Sequence, residues 1–315
     1  MASIRTIVMG LLAASAVALP SVPKFTARQV DYHHIARRQN AAAQKLGLSD
    51  FDILQFALTL ENLEESFYRQ GFAKFPDADF KALGLNDQQL KDLKQIGFTE
   101  SQHVSLLQSS LAMAGIQPVR ACEYNFGFTD AASMVKTAAV LENVGVSAYL
   151  GAAPLLADPA ILGTAGSILT IEARHQSSIR IFSGQLAVPQ AFDTPLGPKA
   201  VFSLAAPFIS SCPDGSNLKI EAFPALKLAD AQASTTINSV LKLQSDAQGA
   251  THCAFTSGGV IPGGTMFTPF SEADGCKIPE GVAGITYLSL AKSAPLEGNL
   301  TDDITVAGPI AITVS

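Results

Sequence analysis

Four stretches of the chain carry apolar residues spaced three and four apart, and each predicts a long helix. Over 50–73, Leu54, Ala57, Leu58, Glu61, Glu65 and Tyr68 share one face, while Phe56, Leu60, Leu63 and Phe67 share the opposite one. A helix apolar on both sides is a buried helix. Ser49 and Asp52 resemble a capping box at its start. Over 87–114, Leu93, Ile96, Glu100, His103 and Leu107 line one face, with Asn86 as N-cap and Gly115 as terminator. A third helix over 130–152 aligns Val135, Ala138, Glu142, Val146 and Tyr149. Asp158-Pro159 supplies a cap and a first-turn proline for a fourth over 159–184, whose apolar face holds Ala165, Ile168, Leu169, Ile179 and Phe182 around Glu172 and His175. A short fifth helix is expected near Pro198–Ser210.

The connection from Ile116 to Thr129 is longer than two antiparallel neighbours need, so it predicts a crossover along a four-helix bundle. After about residue 215 the helical period stops. Short apolar or alternating runs follow (Phe223–Leu228, Ser239–Leu243, Ile285–Leu290, Ile304–Val306, Ile310–Val314), separated by Gly-rich turns. They read as a small β-sandwich. The fold class is therefore mainly α with a β tail, in the order 39–215 helical and 216–315 β-rich.

The N-terminus changes the picture of where the chain works. Arg5, the apolar stretch Ile7–Ala14 and Ala16-Val17-Ala18 make a secretory signal peptide over 1–18. Residues 19–38 end in Arg37-Arg38 and read either as a propeptide or as a leader that stays attached. No apolar run is long enough to span a bilayer, so a membrane partner is not expected. With 15% charged residues and a net charge of −6, a nucleic-acid partner is not expected either. Four cysteines in a secreted chain read as two disulfides with three pairings open. The domain order favours Cys122–Cys212 and Cys253–Cys276. Asn299-Leu300-Thr301 is a glycosylation sequon in a turn-rich segment expected to be exposed. His252, beside Cys253, reads as structural.

The helices carry the candidate chemistry. Glu100-x-x-His103 and Glu172-x-x-His175 each put a carboxylate and an imidazole on one apolar face, where either is costly without a partner. Glu61 and Glu142 sit in apolar runs on the other two helices. The pattern repeats internally: Glu61-Asn62 with Tyr68 matches Glu142-Asn143 with Tyr149, and each is followed by a Glu-x-x-His. Two helix pairs related by a pseudo-twofold would gather four carboxylates and two imidazoles at one centre. Four ionised carboxylates are not tolerated in an apolar interior uncompensated, and two dications neutralise them. Carboxylate oxygens with one imidazole per metal suit iron or manganese, with zinc as the alternative.

The segments LTLENLEESFYRQGF, TESQHVSLL, ACEYNFGF, LENVGVSAYLGAA, IEARHQSSIR, AFDTPLG and FISSCP resemble the secreted ferritin-like proteins of fungi, described as stress-responsive or late-sexual-development proteins and similar to plant desiccation-related proteins. The resemblance spans roughly 45–215. It implies a ferritin-like bundle in which Glu100 and Glu172 bridge two metals, with Glu61 and His103, and Glu142 and His175, as their caps. Glu65, on the face of Glu61, competes for a ligand role, and Glu64 lies further round. Tyr68 and Tyr149 are expected beside the ligands as electron donors, hydrogen-bond partners or packing residues. The function implied is metal binding outside the cell or in its wall, with ferroxidase-like or manganese-catalase-like turnover as one reading. The alternative is a structural or cell-surface protein whose β-rich region contacts the cell wall or another copy of the chain.

Overall fold

The computed structural model describes residues 47–216, 220–259 and 264–314. The signal peptide and the leader ending at Arg38 lie outside these residues. The four long helices are α1 (Asp50–Lys74), α3 (Asp87–Met113), α4 (Ala131–Ala152) and α5 (Pro159–Phe182). A short helix α2 (Asp77–Ala82) stands between the first two, and α6 (Pro198–Ala205) follows the last. Their ends have the chemistry expected of them. Ser49 accepts from the Asp52 amide while Asp52 answers to the Ser49 amide, closing the capping box of α1. Asn86 caps α3 in the same reciprocal way through Gln89. Asp130 caps α4, and Asp158 caps α5 just ahead of Pro159. Gly115, at φ +74°, takes the left-handed conformation that ends α3.

Helices α1 and α3 form one pair, α4 and α5 the other, and the two pairs pack together. The crossover from α3 to α4 runs along α1: Gln55 Nε2 donates to the Gln117 carbonyl, and Lys74 Nζ reaches the Phe128 carbonyl at the far end. Phe126 and Phe128 stack with each other and meet Phe67 edge-on. Within the crossover, β1 (Glu123–Tyr124) pairs with β2 (Ile209–Ser211), and the Cys122–Cys212 disulfide closes the same junction.

The β-rich region is antiparallel and curls as a half-barrel. Its main sheet has six strands in the order β10 (Thr305–Val314), β9 (Gly284–Ala291), β6 (His252–Ser257), β7 (Gly264–Ser271), β8 (Gly275–Lys277), β4 (Val240–Leu241). A two-stranded ribbon, β3 (Lys227–Leu228) with β5 (Leu243–Gln244), is the second β layer among the described residues. The sequence pattern suggests two facing sheets, whereas the larger sheet uses the helices for part of its cover. Three of its strands, β6, β7 and β8, fall outside the expected runs, and Phe223–Leu228 is extended only at its last two residues. Strand β6 is buried along almost its whole length, so it shows no alternation to read. Cys253 and Cys276 are bonded across this sheet. Asn299 is half-buried rather than exposed, because the Gly298 carbonyl beside it accepts from the Thr265 amide and holds the turn against β7.

Tyr287 of β9 joins the two regions. Its ring belongs to the same apolar core as Leu63, Phe67, Val144 and Ile179 of the helices. Its hydroxyl donates to the Asn143 carbonyl at 3.1 Å and accepts from Asn143 Nδ2 at 2.6 Å, with Ser147 Oγ at 2.8 Å. Three hydrogen-bond partners leave this hydroxyl fully satisfied although it is buried.

Candidate metal centre

The six residues that the helical pattern singles out converge between the two helix pairs. Glu61, Glu100, Glu142 and Glu172 are fully buried; His103 and His175 are 8% and 6% exposed. Their donor atoms fall into two groups of four, Glu61, Glu100, His103, Glu172 and Glu100, Glu142, Glu172, His175, each within 4.8 Å. The two groups share Glu100 and Glu172. The geometry thus has two outer positions, each with one carboxylate and one imidazole, joined by two common carboxylates.

Both imidazoles turn Nδ1 inward. His103 Nδ1 lies 3.2 Å from Glu61 Oε2, 3.1 Å from Glu100 Oε2 and 3.2 Å from Glu172 Oε1. His175 Nδ1 lies 2.7 Å from Glu100 Oε1 and 3.1 Å from Glu142 Oε2. One N–H cannot serve three carboxylates, and the His103–Glu172 and His175–Glu100 approaches lack the direction of a hydrogen bond. Glu100 Oε1 and both oxygens of Glu172 are buried without a hydrogen-bond partner. Buried oxygens left without donors around a common point suit a cation, so the donor set fits a metal pair. On the outer side, Thr99 Oγ1 lies 2.9 Å from His175 Nε2 and orients that ring. The residue before Glu172 is Ile171, so the pseudo-twofold supplies no hydroxyl at the matching place beside His103.

The tyrosines cross between the halves. Tyr68 on α1 donates to Glu142 Oε1 on α4, and Tyr149 on α4 donates to Glu61 Oε1 on α1 at 2.5 Å. Gly97 makes room for the first: a Cβ there would stand 2.8 Å from Tyr68 Cβ. Both phenols are pushed well above their ordinary range by burial and by the carboxylates they contact.

Burial governs the charges. It pushes Glu61 up to about 7, although bonds from His103 and Tyr149 oppose it. It pushes Glu172 well up, aided by the charge of Glu100. Glu142 rises for the same first reason. Glu100 is the exception: burial acts upward, but the two imidazoles outweigh it and hold the carboxyl down to about 2. Burial acts downward on the imidazoles and is outweighed by the carboxylates, Glu100 first, so His103 rises to about 12 and His175 to about 10. The carboxylates thus favour the protonated form of both imidazoles.

One acid of the centre escapes the sequence pattern. Glu65 is half-buried and pairs with Arg69 at 2.9 Å. Glu64 is the residue turned inward, 4% exposed. Glu65 lies about 40° from Glu61 round the helix and Glu64 about 60° the other way; the packing of α4 and α5 decides which side faces in. The spacing that places His103 and His175 three residues after a glutamate also places Glu64 three after Glu61, and that was the available signal.

Four helices that bring a pair of Glu-x-x-His motifs and two further glutamates to one point have the layout of ferritin-like carboxylate proteins. In agreement, the model of the ferritin-like domain matches residues 49–185. Protein rds1 of Schizosaccharomyces pombe is 28% identical over 252 residues, which cover 78% of this chain and 57% of that protein. The chain thus spans little more than half the length of this relative. A solved structure, a conserved hypothetical protein from Mycobacterium tuberculosis, aligns at TM-score 0.36 and 20% identity over 49% of this chain and 99% of its own.

Proposed function

We propose that the chain is a secreted ferritin-like protein that holds two divalent metal ions, iron or manganese, in a response to oxidative or developmental stress. The observation that carries this reading is the pair of four-ligand groups sharing Glu100 and Glu172. Glu61 and His103 cap one position, Glu142 and His175 the other. The stress role rests on the resemblance to fungal stress-responsive proteins and on the similarity to rds1. Secretion is supported by the N-terminal sequence and by the two disulfides, which persist in oxidising compartments. Among the described residues no helix is long and apolar enough to cross a membrane.

A bound iron or manganese pair supplies redox chemistry toward oxygen species, of ferroxidase or manganese-catalase type. The chain's own contribution is positional. Tyr68 and Tyr149 hold the capping carboxylates, Thr99 fixes the His175 ring with Nδ1 inward, and the apolar helix faces keep bulk water out. A second reading, in which metal only braces the fold, is favoured by the Tyr287 contact: it ties the sheet to Asn143, next to Glu142, and Asn143 in turn accepts from Gln176, next to His175.

Metal analysis of protein purified through its native secretory route tests the shared claim, and two ions per chain are expected. Ferrous-iron and peroxide consumption then separate the readings. Turnover no faster than that of free metal ends the enzymatic one, and a chain without metal ends both.

A further inference from the structure

The position three residues after each site glutamate faces the centre on all four helices. It holds Glu64 on α1, His103 on α3, Gly145 on α4 and His175 on α5. The pseudo-twofold equates Glu64 with Gly145, and there the symmetry breaks in a specific way: a carboxylate on one side meets a missing side chain on the other. A Cβ built on Gly145 would stand 2.4 Å from Glu172 Oε2 and 3.1 Å from Glu64 Oε1. Any side chain at 145 would therefore displace the Glu172 carboxylate and crowd that of Glu64. Resting on the di-metal reading above, we propose that Glu64 is a seventh ligand of the centre, a fifth carboxylate admitted beside bridging Glu172 by the glycine at 145.

Three observations support it. Glu64 is buried to the same degree as the ligands, so its carboxylate is not held out in water. The oxygen next to it across Gly145, Glu172 Oε2, has no hydrogen-bond partner. Glu64 Oε1 and Glu172 Oε2 crowd the same point above Gly145, and two buried acids so placed are expensive unless a cation is near. Glu64 is in neither group of four, so it joins them by swinging about its own side-chain bonds. The charge balance gives the ligand its consequence. Four carboxylates match two dications, and a fifth leaves one negative charge over, so the centre prefers metal of higher total charge than the six-ligand set does.

The test compares the full-length parent with Glu64→Gln and Gly145→Ala. Each is stripped with chelator, then titrated with Mn2+ for stoichiometry and affinity and with Co2+ for the visible absorption that reports coordination number. The parent is expected to bind two ions. Glu64→Gln keeps the shape and loses the charged donor. It should bind at least one ion roughly 10–100-fold more weakly and change the Co2+ spectrum. In chelator it should melt no lower than the parent, because one buried acid is gone. Gly145→Ala should reproduce the metal defect by displacing the two carboxylates. If the parent binds two ions while Glu64→Gln keeps its affinity and its Co2+ spectrum, Glu64 is not a ligand and the six-ligand centre stands alone, whatever Gly145→Ala does through Glu172. A parent that binds no metal overturns the di-metal reading and this proposal together.

Discussion

The Tyr149 hydroxyl donates to Glu61 Oε1 at 2.5 Å across a separation of 88 residues. The two side chains come from opposite halves of the internal repeat, and Tyr68 returns the contact to Glu142. Each half therefore holds a buried carboxylate of the other. A buried hydrogen bond to a charged group contributes about 1.5–3 kcal/mol. Tyr149→Phe removes the donor and leaves the ring, so it should destabilise the chain within that range. It should also weaken metal binding roughly 10–100-fold, as loss of an outer partner of a ligand does. Chemical denaturation and metal titration measure the two effects. A stability loss with unchanged metal affinity would show that the tyrosine packs but does not position Glu61.

What the sequence made visible follows from what repeats in it. Long helices with polar caps and ligands inside apolar stripes announce themselves through a period, and Glu61, Glu100, His103, Glu142, Glu172 and His175 all lie on such stripes. Tyr68 and Tyr149 stood out because the repeat carried them twice. Glu64 did not, because helical spacing alone allows a 40° or a 60° offset from Glu61 and only the neighbouring helices choose between them. The sheet was harder for a different reason. Strand β6, outside the expected runs, is buried along almost its whole length, and β9, expected from Ile285–Leu290, is buried throughout with Tyr287 facing the helices. Burial on both faces erases the alternation that marks a strand, and it also hides the junction between the regions. Helix α2, six residues long, is too short to show a period.

That junction carries a prediction of its own. A composition shift near residue 215 suggests that residues 39–220 form a helical domain with the whole metal site. Such a fragment would lack Tyr287, leaving Asn143 and Ser147 without their shared partner and opening the core around Val144. Tyr287→Phe isolates the polar part and should cost about 1–3 kcal/mol, the penalty of unsatisfied buried groups. The fragment should be less stable than the variant, because it loses the apolar contact as well. Urea unfolding of the three chains ranks them. A fragment as stable as the whole chain would make the helices an independent domain.

The stabilisation that metal supplies should grow with pH. In chelator, Glu61 is raised from 4.5 to about 7 and Glu64 and Glu172 well above 4.5. A group raised in the folded state favours folding fully below its unfolded value and loses that contribution as pH rises through its folded value. The carboxylates therefore weaken the chelated fold from about pH 4.5 upward, through 7 for Glu61. The imidazoles continue the same trend from 6.5 toward about 10 for His175 and about 12 for His103. Glu100, lowered to about 2, acts in the opposite sense only below 4.5. Metal displaces these protons, so its binding strengthens as pH rises. The melting-temperature gain from added Mn2+ should thus grow steadily between pH 5 and pH 8. A gain that is flat over that interval would mean that the ions bind somewhere other than the Glu–His centre.

The last prediction separates a shared ligand from a cap. Glu172 belongs to both four-ligand groups, whereas His175 belongs to one. Replacing Glu172 by Ala removes a carboxylate that both ions need. It also removes one negative charge from the centre. Replacing His175 by Ala removes a neutral donor from one position and leaves the charge alone. Metal analysis should therefore find clearly fewer than two ions in Glu172→Ala. His175→Ala should lose affinity mainly at one position and retain the other. Because bound metal stabilises the folded state by mass action, chelator should lower the melting temperature of the parent most and that of Glu172→Ala least. Equal losses in the two variants would contradict the sharing of Glu172, since a cap and a bridge would then be equivalent. If chelator moves none of the three, the buried acids and imidazoles serve the fold alone, and the protonated His103 and His175 are their permanent counter-charges.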